Sequence, residues 1–206
     1  RIRGLNRHQS FPYVGYAMPE SMQRLDADLL KKELGLNAVR TSHYPQSHYF
    51  LERCDELGLL MMDEAFDEWE NPKNKWSTGH NVYPPKHEGY AEDFPEWHER
   101  DLADMVRRDR NHPSIVMWSI GNEIPEEVVV GGEELAVELS GYCHTIDPTR
   151  KVTLAHDQIA AEPYSARDAF MDKIDVVGYN YVGRWRERAE LLYDADREEH
   201  LDRCVI

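Results

Sequence analysis

Short apolar runs of β-forming residues alternate along this chain with longer stretches of helical periodicity. The short runs are 2–5, 38–39, 59–62, 115–120, 152–154 and 174–177. Between them, Leu25, Leu29 and Leu36 flank a charged helix, and Phe50, Cys54 and Leu57 step by four and three. Leu102, Met105 and Val106 make a further stripe, and Leu135, Leu139, Tyr142, Cys143 and Ile146 form the clearest helical face. A repeated β-then-α order implies parallel strands with right-handed crossovers, either in a doubly wound sheet or in a (β/α)8 barrel.

Two features favour the barrel. A nucleotide-binding doubly wound sheet places a Gly-rich phosphate loop after an early strand, and neither GxGxxG nor GxxxxGK[ST] occurs. Polar residues instead follow nearly every strand: Asn6, Arg7 and His8; Arg40 and His43; Asp63 and Glu64; Asn122 and Glu123; His156 and Asp157; Asn180 and Tyr181. Barrel active sites are assembled this way, from the C-terminal ends of several strands. Six strands are legible, and Cys204 to Ile206 opens a seventh. A barrel needs eight and typically about 250 residues, so the expectation is a (β/α)8 TIM barrel truncated near the start of strand 7. The absence of Met at position 1, with strand pattern already at Ile2, points to a section of a longer chain.

Composition bounds the partners. An apolar fraction of 41% over 206 residues suits a folded core. The 24 Lys and Arg against 39 Asp and Glu leave a formal charge of −15, which repels nucleic acid and anionic membranes. No apolar run approaches the roughly 20 residues of a membrane span, and residues 1–8 lack a signal-peptide core; a soluble chain is expected, cytoplasmic and secreted locations both staying open. Cys54, Cys143 and Cys204 are odd in number and widely spaced, which reads as buried free thiols rather than disulfides or a zinc site.

The segment from Asp67 to Asp93 is rich in Pro and Gly without periodicity, and reads as an elaborated loop over the C-terminal face. Its aromatics, Trp69, Trp76, Tyr83 and Tyr90, suit either sugar stacking or anchoring of the loop to the barrel rim. Asp67, Glu68 and Glu70 offer oxygen ligands for a divalent cation such as Mg²⁺, but no supporting His accompanies them, so a solvated acidic loop is expected and no cofactor. His87, His98 and His144 read as surface groups, and His112, before Pro113, as a cap on a helix-to-strand loop.

The sharpest constellation is Ser114 to Glu123, SIVMWSIGNE, a strand that delivers a carboxyl group to the barrel mouth with an amide beside it to hold a hydroxyl. An Asn-Glu pair alone is a weak signal. The whole strand with its preceding RRDRNHP is a strong one.

RIRGLNRH at 1–8, NAVRTSHYP at 37–45, CDELGLLMMDEAFDEW at 54–69, RDRNHPSIVMWSIGNE at 108–123 and DVVGYNY at 175–181 together resemble the catalytic barrel of family 2 glycoside hydrolases, in its β-galactosidase branch. The resemblance implies a retaining exo-β-glycosidase that hydrolyses terminal β-D-galactosides by double displacement, with two carboxylates about 5–5.5 Å apart. Glu123 matches the family's acid/base and Asn122 the residue that binds the sugar 2-hydroxyl. Arg40 and His43 match positions lining the sugar subsite, with His8 at its floor. Tyr181 resembles the strand-6 tyrosine that hydrogen-bonds the nucleophile, Tyr179 being its competitor. The nucleophile, a Glu ending strand seven in the family, is expected just beyond Ile206, and β-sandwich domains upstream of Arg1. Glu64 and Asp63 match structural or subsite positions instead. Carbohydrate is the implied partner, with a homo-oligomer left open. The rival sugars are a β-glucuronide or β-mannoside, and the rival class is a non-catalytic carbohydrate-binding barrel.

Overall fold

The computed structural model describes residues 1–73, 89–157, 167–181, 194 and 197–206. Strands β1 (Gly4–Arg7), β2 (Ala38–Thr41), β3 (Leu60–Glu64), β4 (Ile115–Asn122), β5 (Lys151–His156) and β6 (Val176–Tyr179) form one sheet in chain order, every neighbouring pair parallel. Helices α1 (Glu20–Asp28), α2 (His48–Leu57), α3 (Phe94–Asp109), α4 (Gly132–Ile146) and α5 (Asp168–Met171) lie in the crossovers. Unreversed strand order belongs to a barrel and not to a doubly wound sheet. Residues 204–206 add to β6 as the expected seventh strand begins: Val177 N–H donates to the Cys204 carbonyl at 2.9 Å, and Tyr179 N–H to that of Ile206 at 3.0 Å.

Every strand ends two residues beyond its apolar run, at 7, 41, 64, 122, 156 and 179 instead of 5, 39, 62, 120, 154 and 177. The cause is that backbone pairing is indifferent to side-chain polarity. The last two residues of each strand stay in the ladder while their side chains reach the polar mouth. Alternation sends Val39, Met61, Trp118, Val152, Leu154 and Val177 outward, where they pack in one core with Phe50, Cys54, Leu102, Val106, Leu139 and Cys143 from the helices. Inward residues, including Asn6, Arg40, Met62, Met117 and Asn180, line a lumen cavity of about 250 Å³.

Leu25 and Leu29, which flank the charged helix, are 44% and 41% exposed, and Gln23 and Ala27 are the residues that α1 buries. The inner face of α1 serves a buried cation: the Arg7 guanidinium donates to Gln23 Oε1 at 2.8 Å and Asp26 Oδ2 at 2.8 Å, and lies over the Phe50 ring. Cys54 and Cys143 are buried, and burial pushes both thiols up to about 12, but Cys204 is exposed. Among the described residues no helix is long and apolar enough to cross a membrane.

Candidate active site

At the C-terminal ends of β2, β3, β4 and β6, four polar side chains join into one hub around Arg40. Arg40 Nε donates to Glu64 Oε2 at 2.7 Å, one terminal nitrogen to Asn122 Oδ1 at 2.7 Å and the other to Asn180 Oδ1 at 3.1 Å. Glu64 is fully buried and gains a second donor, the Ser119 hydroxyl at 2.7 Å, and a third, His43 Nδ1 at 2.7 Å. A carboxylate only accepts, so Nδ1 of His43 carries a hydrogen. The pairing compensates the burial of Glu64 from several directions, the condition under which a buried charge is tolerated.

A strand irregularity aims the GNE segment. Ser119 pairs with Thr153 and Asn122 with Ala155, so β4 spends three steps where β5 spends two. Strict alternation would put Ser119 and Asn122 on opposite faces; the bulged residue lets both point inward. Glu123 follows with a left-handed backbone, φ 49°, and its N–H donates to the Ala155 carbonyl at 2.7 Å. A non-glycine residue in that region stores strain that concentrates at functional positions. Glu123 Oε1 accepts from Asn180 Nδ2 at 2.7 Å, and Asn122 Oδ1 accepts from the same nitrogen at 3.0 Å.

The other sequence-derived candidates fall around this hub. The His8 ring stands edge-on to that of His43, centroids 5.0 Å apart, on the exposed side. Tyr181 follows β6 with φ 57° and is 47% exposed. Its competitor Tyr179 faces the helical layer instead, its hydroxyl 3.6 Å from Met171 Sδ. His156 is likewise turned away, buried with its ring edge-on to Phe170. Asp63, next to Glu64 but on the outer face of β3, receives the Thr41 hydroxyl at 3.0 Å. Burial, then the neighbouring Asp109 charge, holds the Asp63 carboxyl well above the usual carboxylate range.

The acidic loop is not solvated as expected. Glu68 is buried because the N–H groups of Lys73 and Ala91 donate to it, at 3.0 and 3.2 Å. Asp67 accepts from Asn122 Nδ2 at 3.1 Å and from Lys73 Nζ at 2.7 Å. Lys73 Nζ also donates to the Asn122 carbonyl, and burial lowers its ammonium to about 8 against the pull of Glu123, Glu64, Glu127 and Glu68. An ammonium therefore sits where a cation was considered, and no group of three His, Cys, Asp or Glu among the described residues is arranged to hold a metal. Of the loop aromatics, Trp69 is buried with Nε1 donating to the Ile120 carbonyl at 2.8 Å, and Tyr90 stacks on Phe66. Both are anchors; Trp76, Tyr83 and His87 lie outside the described residues. His98 is no surface group, since its ring stacks on Phe94 with centroids 4.7 Å apart. His144 is exposed, and His112 ties its loop to Asp55 at 2.6 Å.

Sequence reasoning named Asn180 among the strand-end polar residues without giving it a role, and left out Lys73. Asn180 carried the same signal as the chosen residues, a polar side chain ending a strand, whereas nothing in the pattern around Lys73 marks it.

The sequence profile of "Glycosyl hydrolases family 2, TIM barrel domain" matches residues 1–202. A β-galactosidase of Thermoanaerobacterium thermosulfurigenes is 39% identical over 183 residues, covering 85% of this chain and 22% of that one. The β-galactosidase BoGH2A of Bacteroides ovatus is 35% identical, covering 88% of this chain and 23% of its own. Among solved structures, a glycosyl hydrolase family 2 member from Bacteroides cellulosilyticus superposes with a TM-score of 0.80 at 36% identity, over 99% of this chain and 23% of that one. The chain thus spans under a quarter of the length of these relatives. On this match, and on its curled parallel sheet, the chain belongs to glycosyl hydrolase family 2, within the TIM-barrel domain.

Proposed function

We propose that the full-length protein is a retaining exo-β-glycosidase that removes terminal β-D-galactosyl groups, with Glu123 as acid/base. The observation that carries this reading is the convergence of Glu123, Asn122, Arg40, His43 and Asn180 at one end of the sheet, the end where barrel enzymes place their chemistry. In the first half-reaction Glu123 protonates the glycosidic oxygen while a carboxylate on the opposite face attacks the anomeric carbon. In the second it takes a proton from water, which displaces that carboxylate. The nucleophile belongs to the strand that Cys204 to Ile206 begins, beyond Ile206, and residues 1–206 act as part of a catalytic barrel preceded by β-sandwich domains.

Asn122 binds the sugar 2-hydroxyl. Its Oδ1 already takes two hydrogens, from Arg40 and Asn180, and one Nδ2 hydrogen goes to Asp67; the other Nδ2 hydrogen remains for substrate. Arg40 holds Asn122 and Asn180 in place, His43 and His8 line the subsite, and Tyr181 faces the nucleophile. Lys73 supplies the positive charge beside Asp67, which favours a reaction without a divalent cation. A panel of p-nitrophenyl β-glycosides on the full-length protein tests the proposal. Highest kcat/KM on the galactoside, with product first released as the β-anomer, supports it. A glucuronide or mannoside preference corrects the sugar, and no hydrolysis of any member favours a carbohydrate-binding barrel.

A further inference from the structure

We propose that Asn180 is a positioning residue that holds Glu123 by Oε1 and so leaves Oε2 as the oxygen that carries the transferred proton. The proposal rests on the reading of Glu123 as acid/base. Asn180 cannot turn its amide over. Arg40 has only donors, so Asn180 Oδ1 must face it, at 3.1 Å, and Nδ2 must then face Asn122 Oδ1 at 3.0 Å and Glu123 Oε1 at 2.7 Å. Arg40 is itself fixed through Glu64 and Asn122, both at 2.7 Å. The backbones are pinned as well: the Asn180 N–H donates to the His156 carbonyl at 3.0 Å and that of Glu123 to Ala155 at 2.7 Å.

Both Nδ2 hydrogens are thereby committed, one of them to Glu123 Oε1. A proton on Oε1 would meet that N–H head-on at 2.7 Å, so protonated Glu123 carries its hydrogen on Oε2. No described residue hydrogen-bonds Oε2. In the first half-reaction the Oε2–H bond breaks, the proton passes to the glycosidic oxygen, and the C–O electron pair leaves with the aglycone. In the second, Oε2 takes a proton from the water whose oxygen bonds the anomeric carbon as the bond from that carbon to the nucleophile carboxylate breaks. Asn180 touches neither the sugar nor the aglycone in this scheme; it acts through the acid.

The test compares full-length wild type with Asn180→Ala and Asn180→Asp on phenyl and 2,4-dinitrophenyl β-galactosides. Asn180→Asp keeps the shape and an acceptor for Arg40 but loses the Nδ2 donor. A misplaced acid costs on the order of 100-fold, and only where the leaving group needs its proton. Both variants should lose about 100-fold in kcat/KM on the phenyl substrate and less than about 5-fold on the dinitrophenyl one, with KM little changed. Asn180→Ser, which keeps a donor hydroxyl, should recover part of the phenyl activity. Equal losses on both substrates overturn the proposal, as do phenyl rates close to wild type. If Asn180→Ala fails to fold, Asn180→Asp carries the comparison, and unfolding of both shows a structural role and also overturns it. Wild type hydrolysing neither substrate would instead remove the underlying assignment of activity.

Discussion

Replacing Asn122 by Ala removes one hydrogen-bond donor from the sugar and, from the hub, the Oδ1 that accepts two hydrogen bonds and the Nδ2 donor to Asp67, and these effects separate experimentally. On the substrate side, the single Nδ2 hydrogen not given to Asp67 is lost. A preorganised donor that strengthens its bond in the transition state is worth about 2.7–4 kcal/mol, or roughly 10²–10³ in rate. On the protein side, Arg40 and Asn180 each lose a partner, at 2.7 and 3.0 Å, and each unmade buried hydrogen bond costs about 1–3 kcal/mol. That second cost falls on the folded protein with or without substrate, so it lowers stability and largely cancels from kcat/KM whatever the sugar. The assay is therefore kcat/KM for an aryl β-galactoside and its 2-deoxy analogue, with wild type and Asn122→Ala full-length protein, read as a cycle. The parent sugar should lose about 10²–10³ and the 2-deoxy sugar less than about 10-fold. Equal losses on the two sugars would refute the reasoning, because they would place the whole effect in the hub.

Two further perturbations address stability. Asp63 is held well above the usual carboxylate range, first by burial and then by Asp109, so between the unfolded value near 3.9 and the raised folded value the native state binds more protons and loses stability as pH rises. Asn at position 63 keeps an acceptor for Thr41 and removes that loss, so its denaturant midpoint should gain on wild type progressively from about pH 4 upward; parallel pH dependences would contradict the assignment. At Gly121 an added Cβ would stand 3.0 Å from Trp69 Nε1 and 3.1 Å from Ile124 Cγ2. Gly121→Ala should therefore cost about 1–3 kcal/mol and disturb the Trp69 bond to Ile120, lowering the melting temperature and shifting tryptophan fluorescence; an unchanged melting temperature would show that the neighbours yield freely.

The barrel was legible because its strands and helices differ in period, and because outward side chains such as Met61, Trp118 and Leu154 had to be apolar against the helices. The strand ends were not, since the residues completing them, Arg40, Glu64 and Asn122 among them, are polar for the sake of the mouth while their backbones still pair. That Tyr179 turns to Met171 was visible only in three dimensions. Asn180 was visible as a strand-end amide, yet its link to Arg40 spans 140 residues of sequence, and no local pattern encodes such a contact. The misreading of Glu68 as solvated has the same origin: its donors are backbone N–H groups of Lys73 and Ala91, which composition does not reveal. Leu25 and Leu29 stay exposed although they are apolar, because α1 spends its inner face on Arg7.

The assignment of Glu123 as acid/base is tested most directly by Glu123→Ala in the full-length protein, assayed with and without azide. Without the carboxyl group, substrates with poor leaving groups should stop reacting, while a 2,4-dinitrophenyl β-galactoside should still form the covalent intermediate, since its leaving group needs no proton. Azide, which needs no general base, should then accelerate turnover and yield the β-galactosyl azide. Equal loss on all substrates, with no azide acceleration and no azide adduct, would contradict the role of Glu123 and with it the mechanism.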